Sequence, residues 1–197
     1  MLNRILAAAA TASGIALFAA AAHAQAPAAP AAPTAIFAVT SPAIKDGTLI
    51  DKKYAGPNLP NMACGGDNIS PPLQWSGAPA NTKSFAVLVF DFEGGRGPGV
   101  SHWVSYGIAP EATGIPEGAG NKENAALRSG ANMRGATEYF GPCAPATDSP
   151  HHYIYSVYAL DVPKDELPVG LKRDEFMEKV KGRIINIVSI VTSYKRP

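Results

Sequence analysis

Two adjacent histidines open one of the apolar strands predicted from the sequence. His151 and His152 follow Pro150 and lead into the segment YIYSVYAL. Because side chains alternate across a β-strand, we expect His151 and Tyr153 on one face and His152 on the other. An imidazole beside a phenol offers N–H and O–H donors, and the imidazole is positively charged when protonated. The pattern places a pair of hydrogen-bond donors at the mouth of a strand and indicates a functional site, although a half-exposed surface histidine is the alternative.

A second group of polar residues flanks a glycine-rich connection. Asp91 and Glu93 end an apolar run, and His102 follows the stretch GGRGPGVS. Acids at the end of one strand and a histidine at the start of the next indicate a hairpin that lines a ligand, the alternative being a solvated turn. The turn-rich loop EYFGPCAPATDSP then leads into His151. Such rigid loops commonly carry binding groups, although a plain connector is the alternative.

Several catalytic and metal-binding motifs are missing from the sequence. Ser101 lacks the glycine that a nucleophile elbow needs two positions later. There is no H-E-x-x-H motif and no pair of C-x-x-C motifs. The candidate ligands Asp91, Glu93, His102 and His151 are too irregularly spaced to define a zinc site. We therefore predict no metal and no cofactor.

The first 24 residues have the pattern of a secretory signal peptide. Arg4 precedes an alanine-rich apolar stretch that ends in AHA at residues 22–24, an A-x-A cleavage site. The small-residue ending disfavours the alternative, a membrane anchor, and no later segment is long and apolar enough to span a bilayer. Residues 25–33 predict a Pro/Ala-rich tether, and residues 34–197 a single domain. The protein is expected to be periplasmic or secreted.

The charge balance argues against two classes of partner. The chain has 17 basic and 16 acidic residues, and loss of Arg4 with the signal peptide leaves 16 of each. A neutral chain without a run of Lys and Arg lacks the electrostatic footprint of a nucleic-acid-binding protein. It also has no polybasic segment for an anionic lipid surface. We predict no nucleic-acid partner and no integral membrane segment after signal cleavage.

The rest of the sequence is rich in strand signals. Three apolar runs with many β-branched and aromatic residues have the length of strands: residues 84–92, 101–108 and 151–160. Gly- and Pro-rich turns separate them. Only the end has a helical pattern, with Phe176, Val180 and Ile184 at four-residue steps, and Gly182 marks a point where a strand can begin instead. The sequence predicts a mainly β fold, a sandwich or barrel, with a C-terminal helix.

These segments, in this order, resemble the phosphatidylethanolamine-binding protein (PEBP) family and its bacterial Raf-kinase-inhibitor-like branch. GGDNISPPLQW, residues 65–75, is similar to the family's N-x-S-P-P-L-x-W segment, and VFDFEGG lies where the family has D-P-D-A-P. SHWV matches its H-W-V, and FGPCAP resembles its G-P-C-P-P turn. HHYIYSVYALD resembles its H-R-Y-x-F-x-L-Y-A-L-D strand. The similarity covers most of the chain after the tether.

The resemblance implies a large antiparallel sheet packed with a smaller sheet, and a small pocket for phosphate-like anions. By position, the ligand-binding residues would be Asp91, Glu93, His102, Gly141, Pro142, His151 and Tyr153. Asp91 is expected to accept a hydrogen bond from an imidazole, because a carboxylate repels an anion. Gly141 is expected to let the backbone approach the ligand closely.

The resemblance also implies that Cys64 and Cys143 flank the pocket. We predict a disulfide between them, since an exported protein meets an oxidising compartment. The sequence departs from the family's pattern where FEGG, residues 92–95, replaces P-D-A-P, and where His152 replaces an arginine. Loss of both prolines makes this wall more flexible, and loss of the arginine removes a permanent charge.

The leading functional hypothesis is an exported binding module for a small anionic ligand, phosphate- or carboxylate-type, that regulates or inhibits a partner protein. Two alternatives use the same residues. One is a hydrolase relying on general acid–base catalysis, for which no nucleophile with an oriented base is visible. The other is a metal-binding protein. The sequence leaves the natural ligand and the oligomeric state open, a homodimer included.

Overall fold

The structure, a computed structural model, describes residues 35–122, 124 and 126–196. The predicted signal peptide, residues 1–24, and the predicted tether, residues 25–33, lie outside the described residues. The strands within these ranges are β1 (Ala38–Thr40), β2 (Thr48–Leu49), β3 (Asn58–Leu59), β4 (Met62–Ala63), β5 (Leu73–Ser76), β6 (Ser84–Asp91), β7 (Val100–Ile108), β8 (Gly114–Ile115), β9 (Arg128–Ser129), β10 (His151–Leu160) and β11 (Ile184–Tyr194). Helix α1 is Arg173–Lys179, and short 3-10 turns cover Lys52–Tyr54 and Gly94–Arg96.

The strands form one large sheet and one small sheet. The large sheet has the order β2-β11-β10-β6-β7-β9, and the small sheet has the order β1-β5-β8. Neighbours in both sheets are antiparallel except β2 and β11, which pair in parallel. Strands β3 and β4 form a separate two-stranded ribbon. The predicted mainly β fold with a larger and a smaller sheet is confirmed, and the parallel edge strand is an addition to it.

The large sheet is buried on both faces at β6, which explains the nearly continuous apolar sequence of this strand. Phe85 points toward the small sheet and contacts Trp75, with ring centroids 5.2 Å apart. The alternate residues of β6 belong to a second cluster on the opposite face, which α1 covers through Phe176. There Phe176 stacks on Tyr106 of β7 at 5.3 Å. Since successive side chains point to opposite faces, a strand covered on both sides needs apolar residues at every position.

The C-terminal helical pattern ends earlier than its four-residue spacing suggests. Helix α1 stops at Lys179, and Gly182 adopts a left-handed conformation with φ of 72°. β11 then begins at Ile184 and pairs with β10 over its whole length. The β-branched run after Gly182 is therefore a strand of the large sheet, one of the two interpretations that the sequence allowed. None of the described helices is long and apolar enough to cross a membrane.

A disulfide joins two loops at one end of the large sheet. Cys64, just after β4, is bonded to Cys143, in the loop before β10, with Cα atoms 4.9 Å apart. The predicted pairing is therefore present in the structure. The bond closes a loop across 79 residues of sequence. In the chain-entropy account, closing so long a loop restricts the unfolded chain and stabilises the folded state.

We expect a Cys64→Ser/Cys143→Ser double variant to lose about 2–4 kcal/mol of unfolding free energy, because its unfolded chain gains conformational freedom. Urea denaturation of the two proteins measures this loss. Reductant should destabilise the wild type and leave the double variant unchanged, which serves as the control. Equal urea midpoints for wild type and variant would contradict the prediction, as would alkylation of both cysteines in the native protein without reductant.

Candidate functional site

The ends of three strands of the large sheet meet at a cavity of about 330 Å³. Pairing of β10 with β6 places Tyr153 opposite Asp91, so the start of β10 lies beside the end of β6. β7 starts on the other side of β6, with Val100 opposite Asp91. The volume is at the lower end of the range of about 300–1,000 Å³ typical of small-molecule sites. Four of the predicted site residues line this cavity: Asp91, Glu93, His102 and His151.

A buried ion pair lies in the wall of the cavity. His151 Nδ1 is 2.8 Å from Asp91 Oδ2, and the two residues are only 7% and 3% exposed. Because the carboxylate can only accept, Nδ1 carries the proton and donates it. Burial alone lowers the pKa of His151, but the hydrogen bond and negative charge of Asp91 outweigh it and raise the pKa above its usual value of 6.5. The imidazole is thus held in one orientation and biased toward its charged form.

Asp91 also shapes the glycine-rich turn that follows β6. Its Oδ1 accepts hydrogen bonds from the N–H groups of Glu93 and Gly94, both at 2.9 Å. A Cβ at position 94 would lie 2.7 Å from Cγ2 of Val100, so the close approach of the turn to β7 requires glycine there. One carboxylate therefore fixes both His151 and the turn that lines the cavity. The hydrogen bond from the imidazole is the contact predicted for Asp91 on electrostatic grounds, whereas the bonds to the turn were not predicted.

His102 is held differently from His151. Its Nδ1 donates to the carbonyl oxygen of Phe140 at 2.7 Å, and its ring stacks on the Phe140 ring with centroids 5.9 Å apart. Burial is the dominant effect and lowers the pKa of His102 below 6.5. With Nδ1–H committed to a carbonyl, the neutral ring has Nε2 as an acceptor. The two cavity histidines therefore have opposite tendencies, His151 toward the charged form and His102 toward the neutral form.

Three predicted site residues lie behind the cavity rather than in its lining. Tyr153 is fully buried, its hydroxyl accepts from the Cys143 N–H at 3.1 Å, and its ring packs edge-on against His102 at 5.1 Å. Burial raises the pKa of Tyr153, so the hydroxyl keeps its proton. Gly141 donates its N–H to Asn68 Oδ1 at 2.9 Å, and a Cβ there would overlap the Tyr54 carbonyl oxygen. The close backbone approach at Gly141 is therefore to the chain itself.

Pro142 and Asn68 complete this support for the loop. The Pro142 carbonyl oxygen accepts from the Gly56 N–H at 2.9 Å. Asn68 holds the loop from both sides, since its Nδ2 also donates to the Tyr139 carbonyl at 3.1 Å. Sequence reasoning gave Asn68 no role, although it lies in the quoted NISPP segment. Its residue type was the available signal, because an amide can donate and accept at once.

The other histidine of the pair lies outside the cavity. His152 is exposed. Its ring Nδ1 is 2.7 Å from Glu93 Oε1, and its backbone N–H donates to Glu93 Oε2 at 3.1 Å. Burial of Glu93 raises its pKa, but the hydrogen bonds from His152 outweigh this and lower it. Glu93 therefore lines the cavity with both carboxylate oxygens already engaged. His151 and His152 point to opposite faces of β10, as the strand alternation predicts.

The cavity lining also contains charged residues that the sequence did not single out. Asp148 Oδ2 lies 3.5 Å from His151 Nε2, so each ring nitrogen of His151 faces a carboxylate. Arg96 also lines the cavity, from within the glycine-rich turn and at a positive φ of 58°. Asp148 lies in the turn-rich loop for which the sequence analysis predicted binding groups. Its place in that loop was the only sequence feature that could have identified Asp148 as a cavity residue. The described residues include no cluster of three or more His, Cys, Asp or Glu suited to a metal ion.

The sequence matches a known family over most of the described chain. The family model for phosphatidylethanolamine-binding proteins covers residues 40–195. The UPF0098 protein YbcL of Escherichia coli K12 is 39% identical over 134 residues, which are 66% of this chain and 72% of that protein. A UPF0098 protein of Aquifex aeolicus is 33% identical over 163 residues, 82% of this chain and 90% of that protein.

Two solved structures have the same fold. The crystal structure of Escherichia coli YbcL, described as a new member of the mammalian PEBP family, aligns with a TM-score of 0.75 at 32% identity. The alignment covers 83% of this chain and 100% of the YbcL chain. A PEBP homologue from Chlamydia trachomatis aligns with a TM-score of 0.68 at 29% identity, over 82% of this chain and 98% of the other.

We expect the pKa of His151 to lie above 6.5 and that of His102 below it, because Asp91 stabilises one imidazolium and burial destabilises the other. NMR titration of the histidine ring signals measures both values. Asp91→Asn should lower the pKa of His151, since the amide oxygen keeps the turn hydrogen bonds but not the charge. His152→Ala serves as the control and should leave both values in place. An unchanged His151 titration in Asp91→Asn would contradict the assignment.

The same shifts give a sign for the pH dependence of stability. A raised folded-state pKa means that His151 stabilises the fold fully below its unfolded value, and that this contribution is lost as pH rises through the folded value. The lowered pKa of His102 acts in the opposite direction, costing stability as pH falls below the unfolded value. The stability difference between wild type and Asp91→Asn should therefore be larger at acidic pH than at alkaline pH.

Proposed function

The chain belongs to the phosphatidylethanolamine-binding protein family, and on that premise we propose that it binds a small anionic ligand in the cavity at His151. The ligand group is of the phosphate or carboxylate type. The observation that carries the proposal is the state of His151, a nearly buried imidazole held by Asp91 on one side and lining the cavity. When protonated, its Nε2–H becomes a charged donor in a partly desolvated site, where such hydrogen bonds are strong.

The charges around the cavity favour selective anion binding over high-affinity anion binding. Asp91 and Glu93 each accept a hydrogen bond from a histidine, so these carboxylate oxygens are directed toward a donor. Asp148 is half-exposed, and its Oδ2 lies 3.5 Å from His151 Nε2. In this proposal, the Asp148 carboxylate occupies the position that a ligand anion would take. An incoming anion must displace this carboxylate from the imidazole. Arg96 also lines the cavity and supplies a compensating positive charge.

We also propose that ligand binding regulates a partner protein, and that the chain is exported. The cavity supports the first proposal because part of its wall is made of loops, which respond to an occupant more readily than strands do. The signal-like segment 1–24 and the disulfide support the second, since disulfides persist in oxidising compartments.

His151→Ala should weaken sulfate binding at least about tenfold, because a charge-assisted hydrogen bond contributes about 1.5–3 kcal/mol. Isothermal calorimetry with sulfate measures this. His152→Gln is the matched control, since it removes the neighbouring imidazole on the opposite face of β10 while its side-chain amide can still donate to Glu93. Wild-type affinity should fall as pH rises through the His151 pKa, over a range of about pH 5 to 9 in which sulfate keeps its charge.

Asp148→Asn is a second variant in the same assay. Below the His151 pKa it should bind sulfate about two- to fivefold more tightly, the range expected when a partly exposed competing charge is removed. Glu111→Gln, an exposed acid in the turn between β7 and β8, controls for the change in net charge. Equal sulfate affinity in wild type and His151→Ala would refute the proposed site, as would equal losses in His151→Ala and His152→Gln.

Export is tested on the full chain expressed in a bacterium. We expect the protein in the exported fraction to begin at Gln25, and intact mass spectrometry measures the start of the chain. Ala24→Asp should block processing, because signal peptidase requires a small residue there. An unprocessed wild-type chain in the cytoplasmic fraction would be evidence against export.

A further inference from the structure

A second concave surface, here called the basic groove, continues from the cavity. It has a volume of about 550 Å³. Its walls are the start of β7, the segment 131–135 and the start of α1. Val100 and Met133 line both the groove and the cavity, so the two are contiguous. Nothing in the proposed anion site requires this groove.

The groove carries an excess of positive charge. Arg134, Lys172 and Arg173 line it, and Asp174 is its one acidic lining residue within the described chain. Asp174 is already paired with Arg173, with Oδ1 and Nη1 3.0 Å apart. The ion pairs formed among the described residues involve neither Arg134 nor Lys172. Two cations are thus free to bind an acidic ligand, on a domain with equal numbers of basic and acidic residues.

Aromatic rings hold two of these cations in place. The Arg173 guanidinium lies over the Phe90 ring, 4.3 Å from its centroid, and Arg134 lies over Phe140 at 5.1 Å. Such cation–π contacts limit the conformations of long side chains, so less entropy is lost when they bind. Phe140 also stacks on His102, which connects the groove to the cavity.

The rim of the groove is apolar. Phe92 is 60% exposed and packs edge-on against Phe90, with centroids 4.9 Å apart. Met133, on the border with the cavity, is 51% exposed. Exposed apolar side chains beside unpaired cations are typical of surfaces that bind a polypeptide segment with both acidic and apolar residues.

We propose that the basic groove binds an extended acidic segment of a partner protein. The volume is far larger than a single phosphate needs and fits a ligand of several residues. A membrane surface is a poorer fit, because these cations line a concavity rather than a protruding face. In the complex, acidic side chains contact Arg134 and Lys172, and apolar side chains contact Phe92 and Met133.

This inference rests on the proposed function in one respect. The contiguity of groove and cavity allows one anionic group of the same segment to reach His151. The contacts proposed within the basic groove do not depend on an anionic group reaching His151. Loss of sulfate binding at His151 and loss of peptide binding at Arg134 and Lys172 are therefore separable results.

The test uses a fluorescein-labelled oligoglutamate peptide of about ten residues, long enough when extended to cover the groove. Fluorescence anisotropy measures its binding to the full chain. Arg134→Gln/Lys172→Gln should weaken binding at least about tenfold, through loss of two charge-assisted contacts. Lys45→Gln/Lys179→Gln removes two exposed cations elsewhere and is the matched control. Both double variants should keep wild-type sulfate affinity.

Each outcome bears on the proposal. Selective loss in Arg134→Gln/Lys172→Gln, with NMR shifts at Met133 and Ala131 on peptide addition, supports it. Equal losses of peptide binding in the two double variants would mean that binding depends only on the net charge of the protein. That result would overturn the proposal. Absence of oligoglutamate binding would also overturn it, as would binding to phosphatidylglycerol vesicles that depends on Arg134 and Lys172 in place of peptide binding. If wild type fails to bind sulfate but binds the peptide at the groove, only the proposed anion site is lost.

Discussion

The hydrogen bond between His151 and Asp91 organises the candidate site. It joins the end of β6 to the start of β10 inside the sheet, at 2.8 Å and nearly out of contact with water. The same carboxylate fixes the turn at Glu93 and Gly94, which lines the cavity. Removing one partner would leave a buried group unpaired, which costs far more than the bond contributes. The cavity therefore depends on this pair for its shape as well as for its charge.

The sequence predicted the fold well where one physical rule decided the outcome. β6 is apolar at nearly every position because both faces of the large sheet are covered, and so its strand assignment was secure. The C-terminal segment was ambiguous because Phe176, Val180 and Ile184 satisfy a helical period although Ile184 is in β11. There the left-handed turn at Gly182 decided the boundary. The parallel pairing of β2 with β11 was not predictable, since two residues carry no usable pattern.

The site was predictable to the extent that strand alternation controls it. Alternation placed His151 and His152 on opposite faces of β10, and the structure agrees. The resemblance assigned His151 to the pocket, and the structure has His151 in the cavity wall and His152 outside it. Side chains on loops were harder, because no period applies to them. Asp148 and Arg96 reach the cavity from irregular segments, and Gly141 contacts the chain segment at Tyr54 where a ligand contact was expected. The ligand-binding roles assigned from the resemblance remain predictions.

The disulfide also changes how far the chain must search to assemble this site. Asp91 and His151 are 60 residues apart in sequence. Through the bond, the route runs 27 residues back from Asp91 to Cys64 and then eight residues on from Cys143 to His151. In an oxidised but unfolded chain, the loop that closes when Asp91 meets His151 is therefore shorter than in the reduced chain. The shorter loop lowers the entropic cost of closure by about 0.5 kcal/mol and favours faster pairing of β6 with β10. Oxidation before folding would thus act as a kinetic aid to docking β10 onto β6.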